Sequence, residues 1–347
     1  MKEEKVKINY VKNEGISIKI ICVDELLKKL KMEYGNYYTF DTNSLKVNFN
    51  LYIYINKYKY ESLISSHKSS SVNNFIYLKD RDGIIISCKK DEIFILYNNI
   101  TDNLIQFIGE NLISIFGLFL ERSNYSYFHA ACVEKNSSGI VIIGERNSGK
   151  TTILNYLLQS GFNFVSNSHL ALKKENNDLI AVGSPSRVGI RLGTLSSVLN
   201  PNIKQAIMEK TEFADKFLYV SDFNFHLYSQ KKFNIKVNEL QDIYNIKLIN
   251  KVKVSFIIIP LYFPELEHIR IIELTENQKA EVLQRNRRCG SYDTIRYLSS
   301  IFENPSIPLL DTQQISIYKI YQNEKNIDEL FNFINLTLKN GSDKNKK

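Results

Sequence analysis

The stretch from residue 139 to residue 161 constrains the fold of this chain more than any other part of the sequence. Residues 140–143 are all β-branched, which is typical of a strand buried on both faces. A glycine-bounded loop runs from Gly144 to Gly149, and residues 150–159 have the pattern of a helix that ends just before Gly161. Residues 162–166 predict a second short strand. This order of strand, loop, helix and strand predicts an α/β domain.

The loop contains a motif that is typical of phosphate binding. Gly144, Gly149, Lys150 and Thr151 match the pattern G-x-x-x-x-G-K-[ST], in which backbone amides and a helix N-terminus surround a polyphosphate. The lysine would neutralise the β- and γ-phosphates, and the Thr151 hydroxyl would bind Mg²⁺. The alternative is a glycine-rich turn that carries a lysine by coincidence. The motif predicts a P-loop (Walker A) for ATP, or for GTP, with Mg²⁺, formed by Gly144, Glu145, Arg146, Asn147, Ser148, Gly149, Lys150, Thr151 and Thr152.

The first hundred residues have a different pattern. Short runs of β-branched and aromatic residues predict a mainly antiparallel β domain, with a helix at 24–32 and strands at 5–10, 16–23, 47–60, 75–78, 84–88 and 93–97. A long apolar helix follows, capped by Thr101 or Asp102 and ending near Arg122, and we expect it to be a buried core helix. The predicted division is an N-terminal β-rich domain at 1–123, an α/β domain at 124–340 and a disordered tail at 341–347.

The α/β domain is predicted to contain several elements besides the central stretch. It begins with a strand at 127–133, and residues 169–174 and 179–182 predict a hairpin that turns at 175–178. Further strands are predicted at 216–226, 255–260 and 315–321, and helices at 201–210, 275–285, 292–302 and 327–338.

Charge and cysteine content narrow the class of protein. The chain has 347 residues and a net charge of +8, part of it in the C-terminal tail and part in Arg285, Arg287 and Arg288. That cluster is either a solvated helix face or a docking surface for an acidic partner or a phosphate. No nucleic-acid-binding module is recognisable, so no nucleic-acid partner is expected. The four cysteines form no CxxC pair and Met1 is followed by Lys-Glu-Glu-Lys, so we expect free thiols, no membrane span and a cytoplasmic location.

A carboxylate is missing from the place where phosphoryl transfer would need one. The reaction requires an acid near the metal and a group that positions or deprotonates the nucleophile. The strand that follows the predicted helix ends at Val165, and the next residues are Ser166, Asn167, Ser168 and His169. None of these four residues is an acid.

Three segments of the chain resemble a known family. Phe128-His129-Ala130-Ala131, residues 144–152 and residues 161–166 are similar to segments of the HPr kinase/phosphorylase kinase domain. They are closer to the shortened HPr-kinase-like proteins found with peptide natural-product gene clusters. The resemblance covers about residues 125–195 with motifs and 250–340 only in outline. It implies a P-loop-containing domain with the mixed sheet of the HPr-kinase/PEP-carboxykinase-like type, homo-oligomeric assembly, and transfer of a phosphoryl group to a hydroxyl.

The resemblance also implies roles for particular residues. His129 matches the family's strand histidine and would contact a γ-phosphate or accept a proton; a packed histidine on a sheet face is the alternative. The family's Asp-Asp pair, which supplies the base and a metal-linked carboxylate, is replaced by Asn167 and Ser168. The candidate catalytic residues are therefore His129, Lys150 and Asn167, although an amide cannot take up a proton at neutral pH.

Three interpretations of this replacement stay open. The protein is a nucleotide-binding partner without kinase activity, or it uses another acid, or it catalyses a different transfer such as nucleotidyl transfer. We favour an ATP-dependent phosphotransferase that acts on a hydroxyl of a peptide, a protein or a small molecule. Candidate replacement groups are the acids Asp178, Glu134, Glu145 and Asp222 and the imidazole of His169, and candidate phosphate or carboxylate clamps are Arg146, Arg187 and Arg191.

Overall fold

The computed structural model describes residues 6–55, 76–77, 83–88, 91–145, 147–210, 232–287, 310, 312 and 314–344. These residues form a mixed α/β structure with two large mixed sheets. The chain divides into two compact units: the described residues up to Asn124 belong to the first, and those from Tyr125 onwards belong to the second. The boundary expected from the sequence lies after residue 123.

The first unit is built on one sheet. Its described strands and first helix are β1 Val6–Asn13, β2 Ile16–Val23, α1 Asp24–Tyr34, β3 Thr39–Asp41, β4 Phe49–Ile55, β5 Ile76–Tyr77, β6 Gly83–Cys88 and β7 Glu92–Tyr97. The strand order is β3-β1-β2-β4-β7-β6-β5. The pairs β2–β4 and β4–β7 are parallel, so the prediction of a mainly antiparallel sheet is corrected at the centre. A parallel pair needs a crossover, and α1 with β3 provides it between β2 and β4.

Helix α2, Asp102–Arg122, is buried on nearly all sides, as its apolar pattern predicts. Thr101 caps it, because its hydroxyl accepts a hydrogen bond from the Leu104 amide at 3.1 Å. Gly109 leaves room for the Tyr34 hydroxyl, which donates to a helix carbonyl, that of Ile105, at 3.3 Å. By length and composition alone α2 could cross a membrane, but 78% of its apolar 18-residue window is buried within the protein.

The second unit contains a nine-stranded mixed sheet and a two-stranded sheet among its described residues. The strands are β8 Ser126–Phe128, β9 Ala130–Lys135, β10 Ser138–Ile143, β11 Asn163–Ser166, β12 Leu170–Glu175, β13 Asp178–Gly183, β14 Val188–Arg191, β15 Lys232–Ile235, β16 Lys251–Tyr262, β17 Arg270–Glu273 and β18 Ser316–Gln322. The helices are α3 Lys150–Gln159, α4 Leu192–Ser197, α5 Pro201–Lys210, α6 Val237–Tyr244, α7 Glu276–Asn286 and α8 Ile327–Lys344. The large sheet has the order β11-β9-β10-β16-β13-β12-β8, and β18 pairs with both β16 and β17. β14 and β15 form the small sheet.

The secondary structure predicted for residues 139–161 is confirmed. β10 lies between the antiparallel β9 and the parallel β16, and residues 140–143 are fully buried. α3 begins at Lys150 and is followed by Gly161, whose φ of +81° is typical of a glycine just past a helix end. The predicted hairpin is also confirmed as β12 and β13.

The single strand predicted at 127–133 is two strands, β8 and β9, which are separated at His129. β8 pairs with β12 at one end of the sheet order, whereas β9 pairs with β10 and β11 at the other. One straight strand cannot serve both positions, so the backbone breaks where the two pairings diverge. His129 therefore lies in a break between strands, and the expectation that it sits within a strand is wrong.

Two elements of the second unit, β16 and α8, are markedly longer than the sequence predicts. β16 extends on both sides of the predicted 255–260, because β13 pairs with its first residues and β18 with its later ones. α8 continues past 338 to Lys344, so the first part of the tail expected to be disordered is helical. Leu330 and Ile334 anchor α8 by packing, and a helix that is already nucleated extends at little cost. The strand predicted at 216–226 and the helix predicted at 292–302 lie outside the described residues.

Candidate functional site

The loop between β10 and α3 has a tightly turned backbone. Asn147 and Gly149 have φ angles of +71° and +97°, and Gly149 is the N-cap of α3. Asparagine tolerates the left-handed region, and glycine has no Cβ to strain there. A Cβ on Gly149 would lie 2.6 Å from Nε2 of Gln322, so a larger residue here would have to displace the end of that side chain. Arg146, which was predicted to belong to the loop, lies outside the described residues.

Lys150 is buried at the first position of α3, with 7% of its surface exposed. Its Nζ donates to the carbonyl oxygens of Gly144 and Glu145 at 2.6 and 2.7 Å. These bonds hold the ammonium group within the loop at the N-terminus of α3, where the helix dipole adds positive potential. In the same loop, the Ser148 hydroxyl is buried without a hydrogen-bond partner among the described residues. A Cβ built on Gly144 would lie 2.8 Å from this hydroxyl, so Ser148 packs against the backbone of the loop.

A chain of hydrogen bonds supports the first turn of α3. The Asn155 amide nitrogen donates to the Thr151 carbonyl at 2.6 Å, and the Asn155 amide oxygen accepts from the Tyr244 hydroxyl at 2.6 Å. Burial raises the pKa of Tyr244 above its usual value, which keeps the phenol protonated as a donor. Because the Thr151 carbonyl can only accept, it determines which way the Asn155 amide points, and the Tyr244 hydroxyl donates to the amide oxygen on the other side. The backbone that carries Thr151 is thus held from α6.

The loop opens on a cavity of about 370 Å³ in the second unit. Its walls are the loop with the start of α3, the His129 break with the end of β11, the small sheet with α4, and the carboxyl ends of β16 and β18. Five of the predicted nucleotide-binding residues line it directly, namely Asn147, Gly149, Lys150, Thr151 and Thr152. Gly144, Glu145 and Ser148 shape the loop behind them.

One wall of the cavity contains His129, Asn167 and Ser168. Nδ1 of His129 lies 3.2 Å from the Ser168 carbonyl, which can only accept, so Nδ1 carries the proton in this contact. In the neutral ring, Nε2 is then the nitrogen that can take up a proton. The Asn167 amide nitrogen lies 3.5 Å from the Arg187 carbonyl. The structure thus brings His129, Lys150 and Asn167 to one cavity, but this wall has no carboxylate.

A second wall is cationic. Arg187, Gly189 and Arg191 line the cavity, whereas the two residues between them are fully buried on the opposite face of β14. The strand alternation therefore puts two guanidinium side chains on the cavity side, with a glycine between them. Thr152 connects α3 to this wall, because its hydroxyl oxygen lies 3.0 Å from that of Thr194 in α4.

The wall formed by Tyr262, Gln322 and Glu324 was not predicted from the sequence. Tyr262 ends β16, Gln322 ends β18, and the Tyr262 hydroxyl donates to Oε2 of Glu324 at 2.8 Å. Glu324 is the only carboxylate among the described residues that line the cavity. The sequence did contain a signal for Glu324, because this acid closely follows the strand predicted at 315–321. The sequence did not show that this strand lies next to β16, which itself adjoins β10.

The acids proposed from the sequence lie elsewhere. Asp178 forms an ion pair with Lys253 at 2.7 Å in the β12–β13 hairpin region, which supports its role as a turn residue. Glu134 accepts a hydrogen bond from the Asn163 side chain at 2.6 Å and is buried at the end of β9. Glu145 is exposed, and its side chain does not line the cavity. None of these three acids replaces the missing strand-end carboxylate.

The remaining candidates do not supply the missing group either. His169 is 3% exposed, packs its ring 5.9 Å from that of Tyr127, and does not line the cavity, so it is a core residue. Asp222 lies outside the described residues. Within the described part of the chain, no group of three or more His, Cys, Asp or Glu could hold a metal ion.

No protein-family model matches this chain, and no curated protein matches it. Among solved structures, the chain is similar to the HPr(Ser) kinase/phosphatase from Coxiella burnetii. The identity is 15% and the TM-score is 0.31, and the match covers 64% of this chain and 99% of that chain. With a TM-score this low, the match supports no conclusion about the fold or the activity of this chain.

Proposed function

We propose that this protein binds ATP with Mg²⁺ in the cavity and transfers the γ-phosphoryl group to an acceptor hydroxyl. The observation that carries the proposal is the loop itself, which ends in the left-handed Gly149, leads directly into α3 and encloses the buried Lys150. Backbone amides at a helix N-terminus, with a lysine among them, are an arrangement that binds polyphosphate. In this proposal the loop is a P-loop, and GTP is the competing nucleotide.

The charge of the cavity supports an anionic ligand. Its described lining residues include three cationic side chains, Lys150, Arg187 and Arg191, and one carboxylate, Glu324. Three positive charges and one negative charge leave a formal charge of +2 when His129 is neutral. A nucleoside triphosphate with one Mg²⁺ carries about −2, so the two are complementary.

The residues around the loop have the chemical groups that a nucleotide with bound magnesium needs. Thr151 lines the cavity, and a threonine hydroxyl is a hard oxygen ligand; Mg²⁺ retains several waters and takes few ligands from a protein. The Asn155–Tyr244 chain holds the backbone of this residue before any ligand arrives. When bound, Mg²⁺ would neutralise charge on the phosphate oxygens.

His129 is the proposed proton acceptor. The acceptor hydroxyl oxygen would form a bond to Pγ while the bond from Pγ to the β,γ-bridging oxygen breaks, and ADP would leave with that electron pair. The hydroxyl proton would pass to Nε2 of His129. Lys150 and the two arginines would stabilise the charge on the transferring group, and the Asn167 amide can orient the nucleophile without taking a proton.

The acceptor is proposed to be a peptide, a protein or a small molecule with a free hydroxyl. The resemblance of the motifs to HPr-kinase-like proteins of peptide natural-product clusters favours a peptide. The same resemblance implies homo-oligomeric assembly, which is therefore also part of the proposal.

Calorimetric titration with ATP and with GTP, in excess Mg²⁺, tests the binding part of the proposal. Lys150→Ala should weaken ATP binding by about 30-fold or more, since removing one partner of a buried charge contact costs about 2 kcal/mol or more. Lys247→Ala is the matched control, because Lys247 is an exposed lysine of the same unit. Absence of a binding heat for the unmodified protein at millimolar nucleotide would refute the proposal.

A second candidate function is a nucleotide-binding partner protein without turnover. The observation that favours it is the end of β11, where Asn167 and Ser168 line the cavity and no acid is present. Incubation with γ-labelled ATP and candidate acceptors separates the two functions. Label that reaches an acceptor only when Lys150 is intact supports the kinase, whereas saturable binding without any transfer supports the partner protein.

A further inference from the structure

The carboxyl ends of three parallel strands meet at one edge of the large sheet. β10 pairs in parallel with β16, and β16 pairs in parallel with β18, with Tyr262 opposite Gln322 at the last register position. The proposed phosphate-binding loop leaves the end of β10. At the end of β18, the Gln322 side chain lies close to Gly149: a Cβ built on Gly149 would be 2.6 Å from Nε2 of Gln322. The residues just after Gln322 therefore lie beside the start of α3.

Glu324 is held firmly at this edge. The Tyr262 hydroxyl donates to its Oε2 at 2.8 Å. The preceding residue, Asn323, is fully buried, and its amide nitrogen donates to the carbonyls of Phe263 and Leu266 at 3.1 and 2.8 Å. These bonds tie the segment after β18 to the segment after β16. The carboxylate is therefore positioned before a ligand binds, which lowers the entropic cost of using it.

The role that Glu324 can take follows from what else lines the cavity. The Thr151 hydroxyl would supply one hard oxygen ligand, and a magnesium nucleotide in a protein commonly takes one or two such ligands, with a carboxylate among them. The end of β11 offers only the neutral side chains of Asn167 and Ser168. Glu324 is the one carboxylate among the described residues that line the cavity.

We infer that Glu324 binds the metal ion of the nucleotide, and that Tyr262 is a positioning residue that holds this carboxylate. The inference rests on the proposed function and names the group that takes the place of the missing strand-end acid. Two properties follow. Removing the carboxylate weakens the effect of the metal on ATP binding, and it leaves metal-free ATP binding intact.

The experiment compares ATP affinity by calorimetry in excess Mg²⁺ and in EDTA. Glu324→Gln should reduce the ratio of the two affinities by roughly 10- to 100-fold, while the affinity in EDTA stays the same or rises slightly. Tyr262→Phe should reduce the ratio by about 2- to 10-fold, the range for one hydrogen bond. Glu265→Gln removes an exposed carboxylate from the neighbouring segment and should leave the ratio unchanged. Electron paramagnetic resonance of Mn²⁺ with ATP gives a second readout that needs no turnover.

The outcomes separate this inference from the proposed function. A wild-type ratio in Glu324→Gln would overturn the inference and leave nucleotide binding in place. A loss in Glu265→Gln equal to that in Glu324→Gln would also overturn it, because the effect would then be one of general charge. If the unmodified protein binds ATP under neither condition, the proposed function fails and the inference falls with it. Tyr262→Phe keeps the test decisive if Glu324→Gln does not fold.

Discussion

Replacing Gly149 with alanine tests the loop geometry quantitatively. The backbone at this position has φ of +97° and ψ of 4°, and a residue with a Cβ pays about 1–2 kcal/mol in the left-handed region. The new Cβ would lie 2.6 Å from Nε2 of Gln322, so the end of this buried side chain would have to shift. Overpacking at a buried position typically costs about 1–3 kcal/mol more. We expect Gly149→Ala to destabilise the second unit by about 2–5 kcal/mol.

Gly161 is a matched control for the backbone part of this cost. Its φ is +81°, and a Cβ there would meet nothing within 4 Å. Gly161→Ala should therefore cost only the strain of about 1–2 kcal/mol. A double-mutant cycle with Gln322→Ala isolates the contact, because the cost of Gly149→Ala should fall towards that of Gly161→Ala once the glutamine side chain is gone.

Thermal unfolding followed by far-ultraviolet circular dichroism measures these differences. For a unit of this size, 1 kcal/mol shifts the melting temperature by about 2–4 °C, so Gly149→Ala should lower it by roughly 4–20 °C. Hydrogen exchange at the amides of α3 shows whether the loss is local to the loop. If Gly149→Ala costs no more than Gly161→Ala, or if the Gln322→Ala background does not reduce its cost, the described loop geometry is wrong.

Three further predictions concern the cavity and the core. Arg191 lines the cavity, so Arg191→Ala should weaken ATP binding in calorimetry by about 10-fold or more and change the melting temperature by no more than about a degree or two. Arg270→Ala is the control, because Arg270 is exposed, and an equal loss of ATP affinity in this variant would contradict the prediction. Tyr244→Phe removes the donor to Asn155 and should cost about 0.5–1.5 kcal/mol in urea unfolding; an unchanged midpoint would contradict the proposed support of α3. Burial raises the pKa of the Cys22 thiol to about 12, so the reactive thiolate is scarce at pH 8. Alkylation of Cys22, measured by mass spectrometry, should therefore be slow until urea unfolds the first unit. Fast alkylation of the native protein would contradict this, because it would show that the thiol is accessible.

Local chemistry was sufficient to predict the stretch around the loop. A run of β-branched residues, two glycines and a helix-forming segment predict β10, the turn and α3 from their immediate neighbours, and Gly161 marks the helix end. The β12–β13 hairpin was predictable for the same reason, because its two strands are adjacent in the chain.

Pairing between distant strands was not predictable in this way. The split between β8 and β9 arises because two segments on either side of His129 join different neighbours in the sheet. The parallel centre of the first sheet likewise depends on which strands share a buried face after a crossover. Periodicity shows that a segment is a strand and which side is apolar, but the choice of partner is made by packing over the whole unit.

The sequence by itself determined the glycine-bounded loop and the position of Lys150 at the start of the following helix, because dihedral preferences and helix-start signals act over a few residues. Only the tertiary structure decided what faces that lysine. Glu324 reaches the cavity because β18 pairs with β16 beside β10, and Arg187 and Arg191 reach it because β14 turns one face inwards. These residues lie far apart in the chain, and only the non-local pairing of strands brings their charges together.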